Sequence, residues 1–355
     1  MSPISHAYRA RHRPIIGIVD SCCAVPYGPG IAPAQGIGGT EATVLRNMEA
    51  LASHFEFRLF QKACADERAA PGLRPLKAAW QDSDVDGPDA FVVINAWKIA
   101  CRLRRSRPDI PISLWLHVHP GRHNRRMGAA LADAGIDVVC VSDSHARSLR
   151  EFLGEGALPR ITSIPNPVED ILQPDATPRD PDRLLFASAP HKGLRQVFGQ
   201  FAELRRHLPE LRLAVADPGY MAWDAGPVPD GVEILGSLSR ADLLSEMRRA
   251  LCLFYPQTQF AETFGLVIAE ANAVGTPALV HHGLGANDEV AADPGQVIDA
   301  NRPDEILARI RQWRAAPPRI RMPDKFRQHH VTIQWHDHLA SLLAQRAATR
   351  TEAAE

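Results

Sequence analysis

Apolar runs and helical stripes alternate along this chain. "PIIGIVD" (14–20) is a continuous apolar run closed by Asp, the pattern of a strand buried on both faces. After a loop rich in Gly and Pro, "TEATVLRNMEALASHF" places Val44, Leu45, Met48, Leu51 and Ala52 at helical spacing. "EFRLFQ" reads as the next strand, and "DAFVVINAW" (89–97), "ISLWLHVH" (112–119) and "DVVCVSDS" (137–144) as three more, each separated by helix-length sequence. Strands alternating with helices predict parallel βαβ units.

The segment "PNPVEDILQPDATPRDPDR" (165–183) is dense in Pro and Asp and reads as a hinge, after which the alternation restarts. "LLFAS", "LRLAVAD", "GVEILG", "LCLFYPQ" (251–257), "PALVHH" and "GQVID" read as strands. "GLRQVFGQFAELRRHLP", "RADLLSEMRRA" and a stretch near 265–274 read as helices. The expectation is two Rossmann-like, doubly wound domains, 1–166 and 167–330, facing a central cleft. A C-terminal helix over 331–355 is expected to pack back toward the first domain. In such sheets ligands bind at the carboxyl ends of the strands.

Composition narrows the class. Hydrophobic residues make up 45%, charged residues 23%, and the formal net charge is -1, so no global field draws the chain to nucleic acid. The 6 cysteines are scattered without a C-x-x-C pair, which argues against a zinc site or a disulfide framework and for a reducing, cytoplasmic setting. "MSPISHAYRARHRP" lacks the apolar core of a secretory signal, and no stretch approaches the roughly 20 apolar residues of a membrane span.

Candidate chemistry concentrates in "AETFGLVIAEANAVGTP" (261–277), where Glu262 and Glu270 flank an apolar run. A helix starting at Phe264 or Gly265 presents unpaired amides and the positive end of its dipole, a ready phosphate site. Eight residues of helix span about 12 Å. That spacing suits a ligand with its anionic centre on the helix start and a hydroxyl-rich group at either end, the layout of a nucleotide sugar. Taken alone, such an acid pair reads equally as a dipole-stabilising acid and a solvated one.

The pair does not stand alone. "ETFGLVIAEANAVGTPALV" resembles the E-x7-E signature of the retaining group 1, family 4-type glycosyltransferases with the GT-B fold. "GGTEATVLRNMEALA", "LWLH", "VSDSHARSL", "IPNPVED" and "HKGL" resemble further pieces of that family, in the family's order. The resemblance covers roughly residues 14–340 and implies a retaining transferase that moves a sugar from a nucleotide-sugar donor to a hydroxyl acceptor.

By that resemblance Glu262 binds hydroxyls of the transferred sugar and Glu270 binds the ribose. The backbone at Phe264, Gly265 and Leu266 holds the diphosphate, and Lys192 neutralises the leaving group. Gly38 and Gly39 form a second helix start facing the cleft. His117 meets the sugar or the acceptor, Asn166 sits at the junction near the donor, and Ser142 and His145 are weaker candidates. His119 shares a face with His117 if the strand continues. Gly283 and Gly285 lie on the donor's far side, and Glu289 reads as a helix-start acid. Base contacts are expected from the backbone near Leu235–Leu238. Relatives carry an Arg about five residues before the Lys. Here Ala187 and Ser188 occupy that region, so Ser188 or Arg195 is the candidate replacement.

No cofactor or metal is expected, because helix poles and Lys192 can serve as the cation. Arg102, Arg104, Arg105 and Arg107, with Arg122, Arg125 and Arg126, fit either a solvated helix face or peripheral contact with anionic headgroups at the inner face of a cell membrane. The family implies acceptors in cell-envelope polysaccharide or glycolipid synthesis, lipid-linked ones among them. A nicotinamide dehydrogenase would need G-x-G-x-x-G after the first strand, and "DSCCAVPYGPG" does not supply it. A non-catalytic subunit of the same fold and a nucleotide-sugar epimerase remain as alternatives.

Overall fold

Strands that are apolar on both faces need cover on both sides, and the chain provides it twice. The computed structural model describes residues 13–31, 38–62, 64, 72–76, 87–218 and 224–352. Part of the Gly- and Pro-rich loop (32–37), the N-terminal stretch 1–12 and the tail 353–355 lie outside the described residues. The first sheet has 7 strands: β1 (Ile15–Asp20), β2 (Glu56–Gln61), β3 (Leu73–Pro75), β4 (Ala90–Ile94), β5 (Ile112–Leu116), β6 (Asp137–Cys140) and β7 (Ile161–Ser163). Their order is β3-β2-β1-β4-β5-β6-β7, all parallel. The second has 6 strands: β8 (Asp180–Ala187), β9 (Arg212–Ala216), β10 (Val232–Gly236), β11 (Ala250–Tyr255), β12 (Ala278–His281) and β13 (Val297–Ile298). Their order is β10-β9-β8-β11-β12-β13, again parallel.

Helices α1 (Gly39–Leu51), α2 (Trp97–Ser106), α3 (Met127–Asp133) and α4 (Asp143–Leu153) belong to the first sheet. Helices α5 (Leu194–His207), α6 (Arg240–Arg249), α7 (Leu266–Ala273), α8 (Asn287–Val290) and α9 (Pro303–Ala315) belong to the second. Val44, Met48 and Leu51 of α1 pack with Ile16, Ile18 and Val92 on one face of the first sheet, while Val19, Val93 and Leu114 face a separate core with Leu103 and Leu131.

Several boundaries differ from the expected ones. β5 stops at Leu116, so His117 and His119 belong to a loop and share no strand face. β8 begins at Asp180, inside the stretch read as a hinge, because Arg183 ties its polar end to Glu233 and Glu246 at 2.8 and 2.7 Å. The short edge strands β3 and β7 carry too few residues to show a pattern in the sequence.

The chain crosses between the domains twice, and the two crossings run side by side. Val168 N–H donates to the Phe326 carbonyl and Gln328 N–H to the Val168 carbonyl, each at 2.8 Å. The second crossing leads into α10 (Gln328–Glu352), which packs back on the first domain. There Trp335 lies on Trp115 with ring centroids 4.3 Å apart, and His338 Nε2 is 3.1 Å from Ser113 Oγ. Trp335 is buried. Trp335→Ala should therefore lower the unfolding free energy by about 3–5 kcal/mol, measured by urea denaturation followed by circular dichroism.

Candidate active site

The order of each sheet reverses once, and such a point opens a crevice at the strands' carboxyl ends. In the second sheet it lies between β8 and β11. The loop after β8 carries Ser188 and Lys192, and the loop after β11 carries Glu262. Topology thus joins residues far apart in sequence. Lys192 Nζ lies 3.0 and 3.1 Å from the two oxygens of Glu262 and 4.6 Å from the Phe260 ring centre. The Tyr255 hydroxyl donates to Glu262 Oε1 at 2.9 Å. Burial, then the Glu262 charge, push the phenol well above its ordinary range, and nearby Ser188 opposes that shift. Glu262 is only 7% exposed, so a cation and a phenol replace its hydration.

The backbone around Glu262 is equally constrained. Gly285 (φ +59°) lies flat against it: a Cβ there would strike the Glu262 carbonyl and sit 2.7 Å from its amide nitrogen. Ala286 N–H donates to the Glu262 carbonyl at 2.9 Å. Phe264 turns away into the core, edge-on to Phe326 at 5.2 Å. The helix α7 starts at Leu266 rather than at Phe264 or Gly265, with Gly265 as its left-handed N-cap (φ +85°) and no acid in its first turn. Its leading amides are therefore uncapped by any side chain.

A second helix start meets the first across the cleft. Gly38 caps α1, and a Cβ on Gly39 would lie 3.8 Å from Leu266 Cδ2. The two positive poles converge there, and Glu41 folds its carboxylate back over Gly38. Burial raises the pKa of Glu41.

The loops after β5 and β6 close the other side. Asn95 Oδ1, on a residue with φ +56°, accepts the His117 amide at 2.7 Å. The His117 carbonyl accepts from Thr263 Oγ1 at 2.8 Å, and Ser142 Oγ donates to the Thr263 carbonyl at 2.6 Å. Thr263, next to Glu262, is thus clamped by the first domain. Ser142 also caps α4. His117 and His145 are both buried, and neither Nε2 has a hydrogen-bond partner among the described residues. Burial holds both imidazoles at about 3, with His145 adding to the effect on His117 and His119 to that on His145. His119 is exposed and meets His145 edge-on, centroids 5.0 Å apart.

Glu270 is 6% exposed and anchors a charged group at the junction. Its Oε1 accepts from Arg46 at 2.9 Å and Arg240 at 2.8 Å, and Arg240 also pairs with Glu169. Asn166, two residues from the hinge crossing, is buried with its Oδ1 unpartnered among the described residues. Glu289 begins a helix as expected, but its carboxylate accepts from the Asp143 and Ser144 amides at 3.1 and 2.8 Å, capping α4 from the other domain.

Of the expected residues, Lys192 and Glu262 form a bonded pair, with Ser188 near their partner Tyr255, while Gly38, Gly39, Gly265 and Leu266 form the paired poles. Arg195 is not brought to Glu262; it packs beside Gly226. Gly283 N–H donates to Asp288 Oδ2 at 2.6 Å, and Leu235 and Leu238 pack at the margin of the core. The arginines at 122–126 are exposed around a turn tied to α2 by Trp97 Nε1 and Asn124 Oδ1, 2.9 Å apart. Sequence reasoning missed Tyr255, Arg46 and Arg240, and the clamp on Thr263 from the first domain. Only Tyr255, a polar-tipped aromatic ending a buried strand, carried a readable signal.

Gly285→Ala should force Glu262 to shift. We expect turnover to fall at least about tenfold while the thermal midpoint drops by only a few degrees, measured by initial rates and calorimetry on one preparation. The buried imidazoles give a second expectation. His117 and His145 titrate at about 3, and burial brings His338 to about 4, against roughly 6.5 in an unfolded chain. The unfolded state then binds more protons through that window, so this stability is complete above about pH 6.5 and is lost as pH falls toward the folded values. Urea midpoints should fall between pH 7 and pH 4.5, with a shallower pH slope in His338→Gln.

Residues 173–329, the second sheet with its helices, match the family model described as Glycosyl transferases group 1. No curated protein matches the chain. Solved structures do. The apo form of the lipopolysaccharide outer core galactosyltransferase WaaB superposes with a TM-score of 0.62 at 14% identity, covering 92% of this chain and 99% of its own. AviGT4, a glycosyltransferase involved in avilamycin A biosynthesis, gives 0.59 at 17% identity over 93% and 98%. An α,α-trehalose-phosphate synthase (UDP-forming) from Burkholderia vietnamiensis gives 0.59 at 12% identity over 96% and 99%. At these identities the likeness is one of fold: two parallel sheets facing a cleft, the architecture of the GT-B glycosyltransferases.

Proposed function

We propose that this protein is a retaining glycosyltransferase that moves a hexosyl group from a nucleotide sugar to a hydroxyl acceptor. The observation that carries the reading is the convergence of two helix N-termini, from opposite domains, beside a buried Glu–Lys pair. The poles at Gly39 and Leu266 suit a diphosphate. Glu262 accepts from hydroxyls of the transferred sugar, and Glu270 from the ribose. Lys192, held within reach of both Glu262 and the poles, offsets the charge that develops on the leaving diphosphate.

Two features favour this chemistry over one with a protein base. His117 and His145, held at about 3, are weak bases at neutral pH. The reading assigns the acceptor's proton to the leaving phosphate, as front-face attack with retention requires. The poles and Lys192 also supply the positive charge a bound cation would otherwise bring, so the reaction is proposed to run without a resident metal. Exposed arginines on α2 and the 122–126 turn suit a lipid-linked acceptor at the cytoplasmic membrane surface. No helix among the described residues is long and apolar enough to cross a membrane. Synthesis of cell-envelope polysaccharide or glycolipid is the setting proposed, in keeping with the name of the galactosyltransferase it resembles in fold.

The test is release of nucleoside diphosphate from UDP-, GDP- and ADP-sugars, with and without hydroxyl acceptors. One donor class should be turned over. Glu262→Gln, which keeps the side chain's shape, should lose at least about tenfold in rate with an unchanged circular dichroism spectrum. Wild-type rates in that variant, or no turnover of any donor, would refute the assignment.

A further inference from the structure

Glu270 is held in an asymmetric way. Both guanidinium groups bind the same oxygen, Oε1: Arg46 from α1 of the first domain and Arg240 from α6 of the second. Oε2 accepts no hydrogen bond among the described residues, and it is not sealed in the interior. Arg46 is itself held by three groups, one of them Glu169, 3.8 Å from its Nη2. Its Nη1 donates to the Pro167 carbonyl on the hinge at 3.1 Å, and its Nη2 reaches Glu270. Its side chain is 11% exposed. Two contacts join these helices: Gly39 lies against Leu266 where they start, and Arg46 reaches Glu270 farther along each.

We infer that Arg46 is a positioning residue for the nucleotide: it reaches across from the first domain, fixes the Glu270 carboxylate by one oxygen and presents the other to a ribose hydroxyl. The inference rests on the donor reading above and adds a thermodynamic consequence. The first domain becomes part of the nucleotide subsite without touching the nucleotide. Whatever aligns Glu270 through Arg46 raises nucleotide affinity, and by reciprocity bound nucleotide favours docking of α1 on α7. An arginine that competed with the ribose would instead engage Oε2 or both oxygens.

The experiment is calorimetric binding of UDP, GDP and ADP, each with its 2′-deoxy and 3′-deoxy counterpart, to wild type, Arg46→Ala and Glu270→Ala. Arg240 still pairs with Glu270 in Arg46→Ala, and thermal midpoints check that the variants fold. Wild type should bind one nucleotide and reject at least one of its deoxy forms. Arg46→Ala should weaken the ribonucleotide by about tenfold and shrink its advantage over that deoxy form. Adding Arg46→Ala to Glu270→Ala should cost almost nothing more, as two residues acting through one contact require. Equal weakening of ribo and deoxy forms would mean that Arg46 only joins the domains, and unchanged or tighter binding would mean that it is idle or competes; each overturns the inference alone. No binding by wild type would overturn the donor reading and this inference with it.

Discussion

A carboxylate taken out of water must find partners, and the arrangement of the cleft follows from how Glu262 finds them. Tyr255 and Lys192 take over its hydration, and the Gly285–Ala286 backbone closes on its main chain. Each partner comes from a different segment of the second domain, so the acid can be held only if β8, β11 and the loop after β12 are all in place. A charge so constrained cannot relax when a ligand arrives. On the proposed reading, that rigidity directs the acid's hydrogen bonding at the transferred sugar rather than at solvent.

The same segment organises the contact between domains. Thr263 is clamped by His117 and Ser142, Glu289 caps α4, and Glu270 receives Arg46. Two of these contacts from the first domain fall on Glu270 itself and on the neighbour of Glu262. Most of the contacts are backbone-directed or charge-assisted hydrogen bonds, which depend on geometry and can be remade, unlike an apolar seam.

Much of this was legible in the sequence because it depends on local pattern. The apolar runs at 15–20, 90–94 and 250–255 and the helical stripe through Val44, Met48 and Leu51 are short-range signals. Glu262, Gly265 and Glu270 share one strand–loop–helix unit, so their spacing survives folding. Tyr255 and Glu262 also share a unit, but nothing local shows that the phenol turns toward the acid. Arg46 and Glu270 are brought together only by domain packing, and no spacing rule reaches across it. The β5 boundary failed for a different reason: "HVH" continues an alternating pattern while Asn95 Oδ1 takes the His117 amide and ends the ladder.

The arginine expected before Lys192 is replaced by a redistribution of charge. Ser188 in its region supports Tyr255, which secures Glu262, so that position reinforces the acid rather than the phosphate. Positive charge then comes from Lys192 and from the two helix poles. A pole is a fixed dipole that loses no side-chain entropy on binding, whereas a free guanidinium does. Glu41, folded over the α1 pole, fills the pole's demand for an anion in a way a ligand phosphate can replace, and burial makes its charged form costly to keep there. On the proposed donor reading, an incoming diphosphate displaces this internal acid from the pole, and the missing arginine is not needed.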